Sequence, residues 1–95
     1  MFAINVILKV KNEADIEQVG QLLREAGRLS REEPGCEGFE VCHSENEPLV
    51  YFLIERWESN EAWQTHKTAQ AFTEIYQPKV LPLVEREPYF CEILS

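Results

Sequence analysis

A chain of 95 residues, 44% hydrophobic and 11% aromatic, is expected to form one folded domain over residues 1–95 rather than a disordered segment. A chain of this size buries only about 60–65% of the surface its unfolded form exposes, so pairing with a second copy would add useful burial. Seventeen acidic against nine basic residues give a net charge of -8, which disfavours phosphate backbones and anionic lipid and argues against a nucleic-acid or membrane partner. The acidic excess, including Glu13, Asp15, Glu17, Glu32, Glu33, Glu45 and Glu47, reads as solvated helix and loop surface.

Along the chain, Phe2, Ile4, Val6, Leu8 and Val10 alternate with Ala3, Asn5, Ile7 and Lys9, which predicts a first strand over 2–10 with one wholly apolar face and one mostly apolar. The run is too short and too soon charged for a signal peptide or a membrane span, and three cysteines without a disulfide spacing fit a reducing cytoplasm. Ile16, Val19, Leu22, Leu23, Ala26 and Leu29 follow helical spacing, so residues 13–33 should form a helix that Pro34 and Gly35 stop. Gly20 and Gly27 lie on it at a spacing that would let helix and sheet approach closely.

A second strand is expected at 37–44 and a third at 49–57, joined by a turn at Asn46, Glu47 and Pro48. Ser59 is a good N-cap for a second helix reaching about Tyr76, with Ala62, His66, Ala69, Phe72, Thr73 and Tyr76 on its inner arc and Trp63 at the border. A short helical turn at 79–84 and a last strand at 89–94 complete the order. The pattern β-α-β-β-α-β with right-handed crossovers is the ferredoxin-like α+β arrangement, a four-stranded antiparallel sheet with both helices on one face. The opposite apolar face, assigned to Ile4, Val6 and Leu8, should then be covered by a second copy, giving a homodimer joined through its sheets.

His66 is the leading candidate for chemistry, because imidazole titrates nearest neutrality; it serves either as a proton acceptor or as a hydrogen-bonded core histidine. Asn5 is the one uncharged polar residue in an apolar strand, and either orients a substrate oxygen or fills a hydrogen-bonding gap in the sheet. Trp57 either builds an aromatic wall with Tyr51 and Phe72 or packs the core. Tyr51, Trp63 and Phe72 are the candidates for substrate contact. Cys36, Cys42 and Cys91 are an odd number without CxxC spacing, so neither a disulfide framework nor a metal site is expected, and Cys91 reads as an inert thiol. Cys42 and His43 are adjacent in a strand and point to opposite faces. With no phosphate loop or nucleotide signature, no cofactor is expected.

The segment Glu32 to Cys36 with its Pro-Gly-Cys, then Phe39 to Val41, the run Phe52 to Ser59 with its Glu-x-Trp-x-Ser, Ala62, and His66 to Thr68 together resemble the antibiotic biosynthesis monooxygenase family of dimeric α+β barrel proteins. The resemblance implies that fold, a homodimer, and for some members oxidation of a quinol or polyphenol by dioxygen without metal or flavin. On that reading His66 would accept the phenolic proton while Asn5 and Trp57 hold the oxyanion or peroxide. Related haem-degrading oxygenases use an Asn, Trp and His set that Asn5, Trp57 and His66 resemble in order. A quorum-signal phospho-sugar isomerase of the same superfamily has a segment similar to His66, Lys67 and Thr68. A non-catalytic, stress-responsive ligand-binding dimer is the third alternative.

Overall fold

The computed structural model describes residues 1–95. Four strands, β1 (Phe2–Val10), β2 (Cys36–His43), β3 (Val50–Trp57) and β4 (Val84–Cys91), form one antiparallel sheet in the order β2-β3-β1-β4. Helices α1 (Ile16–Arg31) and α2 (Asn60–His66) and a π-helix, Ala71–Val80, complete the ferredoxin-like fold. The connection from β1 enters α1 through a short 3-10 turn, Glu13–Asp15, whose N-cap Asn12 accepts a hydrogen bond from the Ala14 amide. Gly35 follows Pro34 at φ +82°, where only glycine sits without strain, and turns the chain out of α1 into β2.

The helices cover the face that carries Ile4, Val6, Leu8 and Val10, all at most 1% exposed, and this reverses the sheet faces expected above. Leu53, Glu55 and Trp57 of β3 and Phe39 of β2 share that face, opposite Val19 and Leu23 of α1 and Val80 of the π-helix. The discriminating signal lay in β1. Its even positions are without exception large and apolar, whereas the odd set contains Asn5 and Lys9, whose polar groups would be costly under a helix. The open face therefore presents Asn5, Ile7, Val50, Phe52, Ile54 and Arg56, most of them half-buried by their neighbours alone. Arg56 donates to Asn5 Oδ1 across this face at 3.2 Å.

Gly20 faces the Tyr51 hydroxyl and Gly27 faces Val41 and Phe39, so side chains there would collide with the sheet, and α1 lies close against it. The second helix differs from expectation. Ser59 caps α2 through the Ala62 amide as its sequence implies, but α2 ends at His66. The chain then turns and resumes as the wider π-helix, which accommodates Pro78 near its end. A 3-10 turn, Leu81–Leu83, leads into β4, which starts at Val84 instead of Tyr89 and stops at Cys91. Pro88 lies inside it without cost because β4 is an edge strand, where proline is tolerated.

Candidate active site

Glu55 and Trp57 lie two residues apart on β3 and so point the same way, beneath the helices. Trp57, fully buried, donates its Nε1–H to Glu55 Oε1 at 3.0 Å. The His66 ring, 7% exposed, comes down from the end of α2, 4.6 Å from the Trp57 ring and 5.9 Å from those of Phe39 and Phe72. Its Nδ1 meets Glu33 Oε1 at 2.8 Å. With the carboxylate as acceptor, Nδ1 carries the proton and Nε2 keeps its lone pair. Glu33 belongs to the turn that Pro34 and Gly35 enforce after α1, and it is largely buried, with Oε2 lacking any hydrogen-bond partner. It is not the surface charge that its place in an acidic run implied.

Glu55, His66, Phe39 and Phe72 border a cavity of about 20 Å³, room for one water molecule, between the sheet and the helices. Leu23, Ala26 and Ser30 of α1 form one wall. Phe39, Leu53 and Glu55 form the floor, and Trp63, His66, Ala71, Phe72 and Tyr76 form the roof. Arg86 of β4 closes the side, donating to the Tyr76 hydroxyl at 3.1 Å. Trp63 and Phe72 are half-buried and Arg86 is exposed, so the cavity reaches the surface at these three side chains.

Burial sets the protonation of the site. Desolvation pushes the Glu55 carboxyl up to about 7, against the Trp57 hydrogen bond and the Arg86 charge, which favour the carboxylate. Desolvation also lowers the His66 pKa, the Glu33 hydrogen bond and charge opposing it, so the imidazole is neutral at pH 7. The Tyr76 phenol is raised, again chiefly by burial. A neutral imidazole, a carboxyl that changes protonation near neutrality and a guanidinium–phenol pair can together accept a proton, donate one and hold an oxyanion.

The first 78 of the 95 residues match the model of the antibiotic biosynthesis monooxygenase family. The chain belongs to that family. Three solved structures show the same fold for this monooxygenase-family chain. An antibiotic biosynthesis monooxygenase shares 22% identity over 100% of both chains with a TM-score of 0.89. A candidate antibiotic biosynthesis monooxygenase from Nitrosomonas europaea shares 21% over 100% of both at 0.91. Rv0793 from Mycobacterium tuberculosis shares 18%, covering 100% of this chain and 97% of its own, at 0.86. Among curated proteins none matches.

Of the residues singled out in the sequence of this family member, His66, Trp63 and Phe72 meet at the cavity, with Trp57 against the His66 ring. Asn5 lies on the opposite face of the sheet, so Asn5, Trp57 and His66 do not surround one hollow. Tyr51 is on the helix side but toward the far end of β3, donating to the Ile16 carbonyl and stacked on His43 at 4.2 Å. There it lines a separate cleft with Gly20, Gln21 and Arg24 of α1. Lys67 sits over the Trp63 ring, 4.3 Å from its centroid. No three or more of the His, Cys, Asp and Glu side chains converge as a metal site would require.

Glu33, Glu55, Tyr76 and Arg86 were missed as site residues. Glu55 carried a readable signal. It is an acidic residue on the same alternating register as Leu53 and Trp57 and therefore inward if they are. Glu33 carried none, since only the contact between the α1 exit and α2 distinguishes it from Glu32.

Proposed function

We propose that this protein oxidises a phenolic or quinol-type aromatic with dioxygen, and that His66 accepts the phenolic proton. The observation that carries the reading is the buried Glu33–His66 pair, which leaves a neutral, fixed imidazole with one free nitrogen beside an aromatic-walled cavity. Membership of a monooxygenase family supports the reaction class. A phenol becomes electron-rich enough to reduce dioxygen only as its phenolate, so a base positioned in a dry site lowers the main barrier. The net change is a phenol with a free para carbon plus dioxygen going to a quinone plus water.

A cavity of about 20 Å³ has room for dioxygen or a water but not for an aromatic ring. Entry of the substrate therefore requires Trp63 of α2 and Phe72 of the π-helix, the half-buried side chains over the cavity, to move aside. The open sheet face, with Ile7, Val50, Phe52 and Ile54, supports a homodimer formed through the sheets. Dioxygen uptake with a panel of naphthols and polyphenolic quinols tests the reading. Uptake that accompanies quinone formation and is lost in His66→Ala supports it, and an undiminished rate in His66→Ala removes the role of the imidazole.

A further inference from the structure

Oxidation of a phenol to a quinone needs more than a base. One electron passes from the phenolate to dioxygen, the two radicals join to form the ring carbon–oxygen bond, and the peroxide takes back the proton that His66 had removed. The ring then loses its C–H proton to His66, that electron pair forms the carbonyl, and the O–O bond breaks. Hydroxide leaves. In an apolar cavity an unprotonated hydroxide is a costly product, so the step requires an acid at the distal oxygen. Afterwards the imidazolium proton resets that acid, directly or through one water, and the balance closes at one phenol and one dioxygen to one quinone and one water.

We propose, resting on the reading above, that Glu55 is this acid and delivers its proton to the leaving oxygen. Glu55 is 4% exposed on the cavity floor. Its Oε1 is held by Trp57 Nε1–H, while Oε2 makes no hydrogen bond to the protein. No Lys, Arg or His lies within salt-bridge distance of it. If satisfying the indole were its whole purpose, a neutral amide would serve without the penalty of a buried ionisable group. The groups that act on its carboxyl are Arg86 from β4, Glu33 from the α1 exit and Trp57 on its own strand. Tyr76 of the π-helix and Cys36 of β2 feel its charge in turn, and His66 of α2 shares the cavity. With only one cation among these, burial keeps the carboxyl protonated up to neutral pH, as a donor requires.

The test is the pH dependence of kcat for quinone formation from a para-unsubstituted naphthol in the full-length wild type and in Glu55→Gln, which keeps the acceptor for Trp57. Wild-type kcat is expected to fall above about pH 7 as the carboxyl deprotonates. Glu55→Gln should lose on the order of 100-fold in kcat, typical of a missing general acid. It should show no alkaline limb and bind the naphthol as tightly as wild type. Trp57→Phe removes the hydrogen bond that favours the carboxylate, so its alkaline limb should move to higher pH; this second variant serves if Glu55→Gln does not fold. Turnover in Glu55→Gln with wild-type kcat and the same alkaline limb, or an unmoved limb in Trp57→Phe, overturns the assignment while leaving the monooxygenase reading intact. A wild type that turns over no phenol overturns both.

Discussion

Glu33 Oε1 and His66 Nδ1 stand 2.8 Å apart, joining the exit of α1 to the last residue of α2. The contact spans 33 positions of sequence and both side chains are largely shielded from water. It fixes the plane of the imidazole and holds the short α2 against the rest of the helical layer.

Glu33→Gln should lower the His66 pKa further. The Glu33 charge and hydrogen bond raise it against the stronger effect of burial, so an amide, which still accepts from Nδ1 but carries no charge, leaves burial less opposed. NMR titration of the His66 ring protons reads the change directly. An unmoved or raised value would show that the carboxylate does not act on the ring.

The stability of the protein should depend on pH through Glu55. Its carboxyl titrates at an ordinary 4.5 in the unfolded chain and at about 7 in the fold. The favourable contribution is thus complete below pH 4.5 and is lost as pH climbs to 7, on the order of 3 kcal/mol for this group alone. His66 works in the opposite sense: its folded pKa is depressed, so its contribution is complete above 6.5 and declines as pH drops through the folded value. Urea unfolding of wild type and Glu55→Gln at a series of pH values separates the two, because the variant should gain relative to wild type as pH rises from 5 to 8. Parallel curves would mean that Glu55 does not titrate in this window.

Phe52→Glu should separate the proposed dimer. Phe52 lies on the open sheet face beside Ile7 and Cys42, with no helix above it. A carboxylate there would be buried in a sheet-to-sheet interface at a cost of several kcal/mol and solvated in a monomer. Sedimentation at micromolar concentration should show wild type as a dimer and the variant as a monomer with an unchanged far-ultraviolet spectrum. A monomeric wild type removes the proposed interface.

Gly35→Ala should destabilise the fold by about 1–3 kcal/mol. The residue sits at φ +82°, and an added Cβ would lie 2.7 Å from the Ala62 Cβ of α2. The strain falls between Glu33 and the helix that carries His66, so the variant should also broaden the His66 ring resonances. Thermal unfolding within a degree of wild type would indicate that the turn relaxes freely.

Much of the architecture is legible in local patterns. The alternation in 2–10 and 49–57, the spacing of Ile16 to Leu29, the Pro34–Gly35 stop and the Ser59 cap each act within a few residues, and the first three strands, α1 and the start of α2 stand where those patterns put them. The break after His66 was hidden because Ala69, Phe72 and Tyr76 continue the inner arc whether the helix is regular or interrupted. The early start of β4 was hidden by Pro82 and Pro88, which read as breakers until the strand is seen to lie at an edge.

The order of elements, the apolar periodicities and the inward direction of His66 are legible along the chain, since each follows from the geometry of one strand or one helix. Which face of the sheet the helices cover, the separation of Asn5 from Trp57 and His66, the contact of Glu33 with His66, and the convergence of Glu55, Tyr76 and Arg86 on one cavity emerge only when distant segments pack together. Those relations depend on contacts between segments tens of residues apart, and on desolvation summed over every neighbour. No local pattern encodes either one.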